Sequence, residues 1–179
     1  MNAVALLAAA FVAAPPVEPA PSVSVVASTR VGLDGACTTE LALTVRTSPI
    51  ALHLPPAVSE VQLETEGGLR AKSQRTGDRV VISAGPGSRL RLTYRQKLAA
   101  FGFRGRFRVV LPRFERPVDE LRWELVLPFG LAYSGLQSSV EAAAECNPEA
   151  PQPCFAHSAR QLAPAEAYVE GEYVQPLAR

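Results

Sequence analysis

Between Arg89 and Leu127 the side chains alternate with a period of two, and that period restricts the chain to extended strands. Arg89-Leu90-Arg91-Leu92-Thr93-Tyr94-Arg95 puts Leu90, Leu92 and Tyr94 on one face and the arginines on the other. Arg104 to Val109 repeats the arrangement with Phe107 and Val109 inward, and Leu121 to Leu127 aligns Trp123, Leu125 and Leu127. Pro112, Pro117 and Pro128 fall between these runs, where strands tolerate proline. Nowhere does a 3.6-residue period hold over the length of an ordinary helix.

The same reading extends outward in both directions. Ser22 to Val25 opens a strand, Asp34-Gly35 supplies a turn, and Leu41 to Val45 follows. Ile50 to Leu54 is a short apolar segment stopped by Pro55-Pro56. Val61 to Glu64 alternates until Gly67-Gly68, and Gly77-Asp78 reads as a hairpin turn into Arg79 to Ile82. The Ala-rich stretch Val140 to Ala144 fits helix or strand and is read as a strand returning through the Cys146–Cys154 loop, and Tyr168 to Val174 reads as the closing strand. About nine or ten short strands with turn residues between them predict an all-β fold, an antiparallel β-sandwich, with a partly closed β-barrel as the alternative.

Upstream of the strands, Ala3 to Ala14 is an unbroken apolar run followed by Pro15, Pro16, Pro19 and Pro21. The run is too short for a bilayer and suits a signal-peptide core, although no Lys or Arg precedes it. The alternative is a buried Ala-rich helix at the end of a cytosolic domain. The expected organisation is a signal-like helix over 1–14, a proline-rich linker over 15–21, and one β domain over 22–179. Export predicts a periplasmic or secreted protein and an oxidising environment for Cys37, Cys146 and Cys154. Cys146 and Cys154 flank a loop containing Pro148, Pro151 and Pro153, so a Cys146–Cys154 disulfide is expected and Cys37 is left as a small buried hydrophobe. Closing that loop constrains the unfolded chain by roughly 2–3 kcal/mol.

Lys and Arg number 18 against 17 Asp and Glu, a balance that argues against a nucleic-acid binder. Gly-x-Ser-x-Gly, His-Glu-x-x-His, Cys-x-x-Cys and the phosphate-binding Gly-x-x-x-x-Gly-Lys are all absent. His53, between Leu52 and Leu54, reads as a half-buried packing residue, and His157 has no partner at metal-ligand spacing. The acidic pairs Glu64 with Glu66, Glu115 with Asp119, and Glu141 with Glu145 read as solvent-facing charge. No catalytic residue, cofactor or metal site is assigned.

One constellation suggests binding. If the strands holding Arg89, Arg91 and Arg95 and those holding Arg104, Arg106 and Arg108 pair through the Gln96–Phe103 connection, the arginines form a stripe with Phe101 and Phe103 at its end. Such a stripe fits an anionic partner: a polyanionic glycan, a lipid head-group surface or an acidic envelope protein. The competing reading is a solvated face whose charges are balanced by Glu60, Glu64, Glu66 or Glu124.

The succession Leu52-His53-Leu54-Pro55, Val58 to Leu63, Gly77 to Ile82, Leu90 to Arg95, Leu121 to Leu125 and Leu127-Pro128 resembles exported bacterial β-sandwich domains, some uncharacterised and some forming the all-β portion of larger secreted or membrane-associated proteins. The resemblance covers about residues 38–130 and implies architecture without an activity. The expected function is therefore an exported, non-catalytic binding or accessory protein of the bacterial cell envelope. A carrier enclosing an apolar or lipid ligand is the first alternative, and a hydrolase with dispersed catalytic residues the second.

Overall fold

The computed structural model describes residue 20 and residues 22–66, 71–141 and 153–176. The signal-like segment, almost all of the proline linker, the Gly67-Gly68 turn, most of the Val140–Ala144 strand and Cys146 lie outside the described residues.

Thirteen strands make up the described regular structure. They are β1 (Val23–Val31), β2 (Ala36–Val45), β3 (Ile50–His53), β4 (Val58–Thr65), β5 (Lys72–Thr76), β6 (Arg79–Ser83) and β7 (Arg89–Lys97). There follow β8 (Arg104–Val110), β9 (Arg113–Phe114), β10 (Val118–Val126), β11 (Ala132–Ser138), β12 (Cys154–Leu162) and β13 (Tyr168–Val174). No helix among the described residues is long and apolar enough to cross a membrane.

The strands form three open sheets. A six-stranded sheet has the order β12-β10-β1-β2-β7-β4, a four-stranded sheet the order β5-β6-β3-β9, and a three-stranded sheet the order β11-β13-β8. None closes into a barrel, so the layered alternative is the one adopted. The large sheet departs from the expected antiparallel arrangement at one place. β1 runs parallel to β10, with Ala27 opposite Trp123 and Thr29 opposite Leu125. Parallel neighbours require a long crossover rather than a hairpin, and here residues 32–117, nearly half of the chain, intervene between them.

Alternation decides which face each residue takes. Across the large sheet, registered neighbours on the inner face run His157, Trp123, Ala27, Leu41, Leu92 and Leu63. The next inner row runs Phe155, Leu125, Thr29, Thr39, Tyr94 and Val61. These rows meet Ile50, Leu52, Val80, Ile82 and Phe114 of the four-stranded sheet and Phe107, Val109, Val169 and Tyr173 of the three-stranded one in a single core. Trp123 is 1% exposed, and its indole N–H donates to Thr29 Oγ1 at 3.0 Å. Thr29 and Thr39 share a hydroxyl–hydroxyl bond of 3.1 Å. The indole and the two threonine hydroxyls of this inner row are thus satisfied from strand to strand, as burial demands.

The turns follow their chemistry. Gly77-Asp78 links β5 to β6 as a two-residue hairpin, with Thr76 opposite Arg79 and Gly77 at φ +62°. Between β1 and β2, Gly35 sits at φ +79°, and a Cβ there would overlap the carbonyl oxygens of Leu98 and Ala99. Its own carbonyl accepts the Leu98 N–H at 2.8 Å, which ties the turn to the segment following β7.

Candidate functional site

The topology divides the six arginines between two sheets. β7, with Arg89, Arg91 and Arg95, lies between β2 and β4, whereas β8, with Arg104, Arg106 and Arg108, pairs with β13. The single stripe expected from the sequence therefore does not form. β7 finds two antiparallel neighbours within the large sheet, so the Gln96–Phe103 segment leads to another sheet instead of closing a hairpin. Most of the guanidinium groups are balanced locally. Arg91 meets Glu40 at 3.1 Å and Glu66 at 3.7 Å, and Arg95 meets Glu60 at 3.2 Å. Arg106 meets Glu172 at 3.0 Å, while Arg108 meets Glu166 at 2.9 Å and Glu170 at 3.3 Å and lies 4.0 Å over the Tyr168 ring. Arg89 and Arg104 have no ion pair among the described residues. Phe101 is packed against Phe107 and Tyr173, while Phe103 is 55% exposed.

A different charged group stands on the four-stranded sheet. β3 is short because Pro55 follows Leu54, and its last residue, His53, lies opposite Arg79 on β6 and Arg113 on β9. Leu52, Val80 and Phe114 fill the inner face one position away, which sends the row Arg79–His53–Arg113 outward. His53 is half-buried, as read from the sequence, but its ring nitrogens meet carboxylates and not only apolar neighbours. Its Nδ1 lies 3.2 Å from Asp78 Oδ2 and its Nε2 lies 3.2 Å from Glu115 Oε1. A neutral imidazole has one N–H and can donate to only one of these carboxylates, whereas the protonated ring donates to both. Arg79 grips Glu115 at two points, one of them Nη2 to Oε2 at 3.0 Å.

The electrostatics follow from these contacts. The Arg79 hydrogen bond, with a smaller contribution from His53, holds the Glu115 carboxyl down at about 2. The hydrogen bond from His53 lowers Asp78, and the nearby charge of Arg113 adds to the effect. Beside the group a groove of about 430 Å³ opens between the end of β3 and the 164–166 segment. His53, Asp78 and Arg113 line it together with Pro55, Pro56 and Pro164. Sequence reading passed over this constellation because Asp78 and Glu115 stand 25 and 62 residues from His53. The one available signal was alternation, which places His53 on the face opposite Leu52 and Leu54.

The remaining candidates are structural. His157 is 8% exposed with its ring 5.9 Å from that of Trp123. Burial lowers its pKa, opposed in part by the neighbouring backbone of Val140 and Glu141. Cys37 is a buried free thiol, and desolvation pushes its pKa up to about 11. The expected Cys146–Cys154 bridge involves a residue outside those described. An apolar void in the core, lined by Val25, Leu41, Leu121 and their neighbours, measures about 10 Å³, room for about one water and none for an acyl chain.

Three open sheets around one core, with a mixed six-stranded sheet as the largest, define an all-β module. No protein-family model matches the chain, and no curated protein matches it. Solved structures do share the fold. An aminopeptidase N family protein from Idiomarina loihiensis aligns over 82% of this chain and 29% of its own, at 14% identity and a TM-score of 0.55. An M1 zinc metallopeptidase from Deinococcus radiodurans, in a mutant form bound to a Tyr-Ser-Ala substrate, aligns over 84% of this chain and 42% of its own, at 17% identity and a TM-score of 0.53. The chain thus spans well under half the length of these peptidases, and at such identities the likeness establishes the fold alone.

These neighbours raise the question of zinc. A catalytic zinc needs three protein ligands directed at one point with a further position left open. No three His, Cys, Asp or Glu side chains among the described residues form such a group. The two carboxylates near His53 face opposite ring nitrogens, so they cannot join it around one ion, and Arg79 already occupies Glu115. His157 is enclosed beside Trp123. The described residues do not fit a zinc centre.

Proposed function

We propose that the chain is an exported, non-catalytic β-module of the bacterial cell envelope that works by binding, as an accessory unit. The supporting observation is the asymmetry of the fold match. More than four fifths of this chain superposes on structures of which it covers 29% and 42%, and the described residues supply no ligand set for the zinc that the Deinococcus peptidase is named for. The apolar leader Ala3 to Ala14 supports export.

The test has two arms. Residues 1–22 fused to a phosphatase reporter that is active only outside the cytoplasm should give activity in a bacterium. The purified chain, given zinc and a panel of aminoacyl p-nitroanilides, should show no turnover and should retain no stoichiometric zinc after dialysis. Cytoplasmic retention of the reporter overturns export, and saturable zinc-dependent turnover overturns the non-catalytic reading.

A further inference from the structure

The groove beside His53 joins a proline-rich apolar wall to two exposed groups of opposite charge. Its volume of about 430 Å³ lies in the range of small-ligand sites. Leu54, Pro55, Pro56, Leu111 and Pro164 form apolar walls, and the prolines stiffen them by fixing φ. Into this groove project two groups of opposite charge. Arg113 is exposed and, unlike Arg79, Arg91, Arg95, Arg106 and Arg108, has no ion pair among the described residues. Asp78 is 66% exposed, and the contact it makes with His53 uses Oδ2. A layer behind them fixes their positions: Arg79 clamps Glu115, Glu115 and Asp78 hold the His53 ring from both sides, and Leu54 N–H donates to the Asp78 carbonyl at 2.8 Å. Glu166 at the rim is taken up by Arg108.

A purely anionic ligand would meet Asp78 and Glu166, and a purely cationic one would meet Arg113. A ligand carrying both charges satisfies both. We propose that this groove is a binding site for a short zwitterionic peptide or amino acid with an apolar side chain, Arg113 taking the carboxylate, Asp78 the ammonium and the proline wall the side chain. The Arg113 guanidinium suits a carboxylate because its N–H groups form a planar fork. The inference deepens the proposed binding role and rests on it.

The probe is the dipeptide Leu-Leu, titrated into the full chain and followed by amide chemical shifts. Shifts should appear in the segments 53–56, 78, 111–113 and 164–166. N-acetyl-Leu-Leu and Leu-Leu-amide should each bind about tenfold more weakly, the loss expected for one charge-assisted pair. Arg113→Gln should weaken Leu-Leu by a similar factor with the thermal midpoint nearly unchanged, and Asp78→Asn should weaken it by a similar factor. Blocked peptides that bind as well as Leu-Leu overturn the assignment, and because that comparison uses the wild-type protein it stands even if a variant misfolds. No binding of Leu-Leu at millimolar concentration overturns the site and leaves the non-catalytic reading intact. Hydrolysis of bound Leu-Leu overturns the non-catalytic reading and leaves the site intact.

Discussion

Replacing Thr29 with Val tests the inner row of the large sheet and, with it, the parallel pairing of β1 and β10. The two side chains are nearly equal in volume, so the change removes a hydroxyl without opening a cavity. Two bonds are lost, from Trp123 Nε1 at 3.0 Å and with Thr39 Oγ1 at 3.1 Å. Trp123 is 1% exposed, so its N–H is left without water or acceptor. An orphaned buried donor costs about 1–3 kcal/mol, and the Thr39 bond adds about 0.5–1.5 kcal/mol. The variant should therefore lose roughly 2–4 kcal/mol, or roughly 4–16 °C in thermal midpoint for a chain of this size. Urea unfolding followed by circular dichroism reads the change through the midpoint at constant slope. The decisive comparison repeats the substitution in a Trp123→Phe background, where no indole donor remains to be orphaned. There the loss should shrink by about 1–3 kcal/mol. An equal loss in both backgrounds, or a loss below about 0.5 kcal/mol in the wild type, would show that Trp123 does not lean on β1 as described.

Other expectations follow from the same contacts. Glu115 and Asp78 titrate lower in the folded chain than their ordinary values, so the unfolded chain binds more protons; their stabilisation is present above about pH 4.5 and is lost as pH falls toward about 2. Glu115→Gln should thus flatten the pH dependence of the urea midpoint over that interval, and parallel curves for variant and wild type would refute the charge cluster. His157, lowered by burial, contributes the same sign at higher pH: the stability present above its ordinary value of 6.5 should fall as pH drops below it, and His157→Leu should abolish that limb. Gly35→Ala should cost more than Gly87→Ala by at least about 1 kcal/mol, because both glycines have positive φ but only Gly35 faces the Leu98 and Ala99 carbonyls; equal losses in denaturant unfolding would refute the close approach. Non-reducing peptide mapping should find Cys146 joined to Cys154, with Cys37 resistant to alkylation until the chain unfolds; a bridge to Cys37 would contradict its burial.

The sequence showed individual strands better than it showed their partners. β7, β8, β10 and β13 each alternate strongly because one face meets the core and the other water, and their limits were readable to within three residues. β11 was missed because it has little burial to impose alternation, and a bulge between Ser134 and Gln137 breaks what remains. β9, two residues long, carries no period at all. Pairing is a further step. Nothing in Val23 to Val31 distinguishes a neighbour next in sequence from one far downstream, so the parallel β1–β10 contact was invisible, and so was the separation of β7 from β8. The site suffered in the same way: Asp78 belongs to a hairpin turn that was legible, yet its meeting with His53 and Glu115 depends on β3 lying between β6 and β9.

The position of β1 also bears on how the chain acquires its structure. β2 follows β1 directly in the chain and β7 and β4 can add beyond it, so one edge of β1 can be covered while synthesis is still in progress. Its other edge belongs to β10 and stays bare until residues 118–126 emerge. During that interval a nine-residue strand with alternate apolar side chains is an open template for other extended segments, a recognised route to aggregation. Even when the whole chain is present, β2 lies next to β1 in sequence whereas β10 must close a long loop to reach it, so the second edge is covered later. Pulse-labelling hydrogen exchange during refolding should accordingly show the β1 amides directed at β10 gaining protection later than those directed at β2, and aggregation should be greatest in the window between the two events.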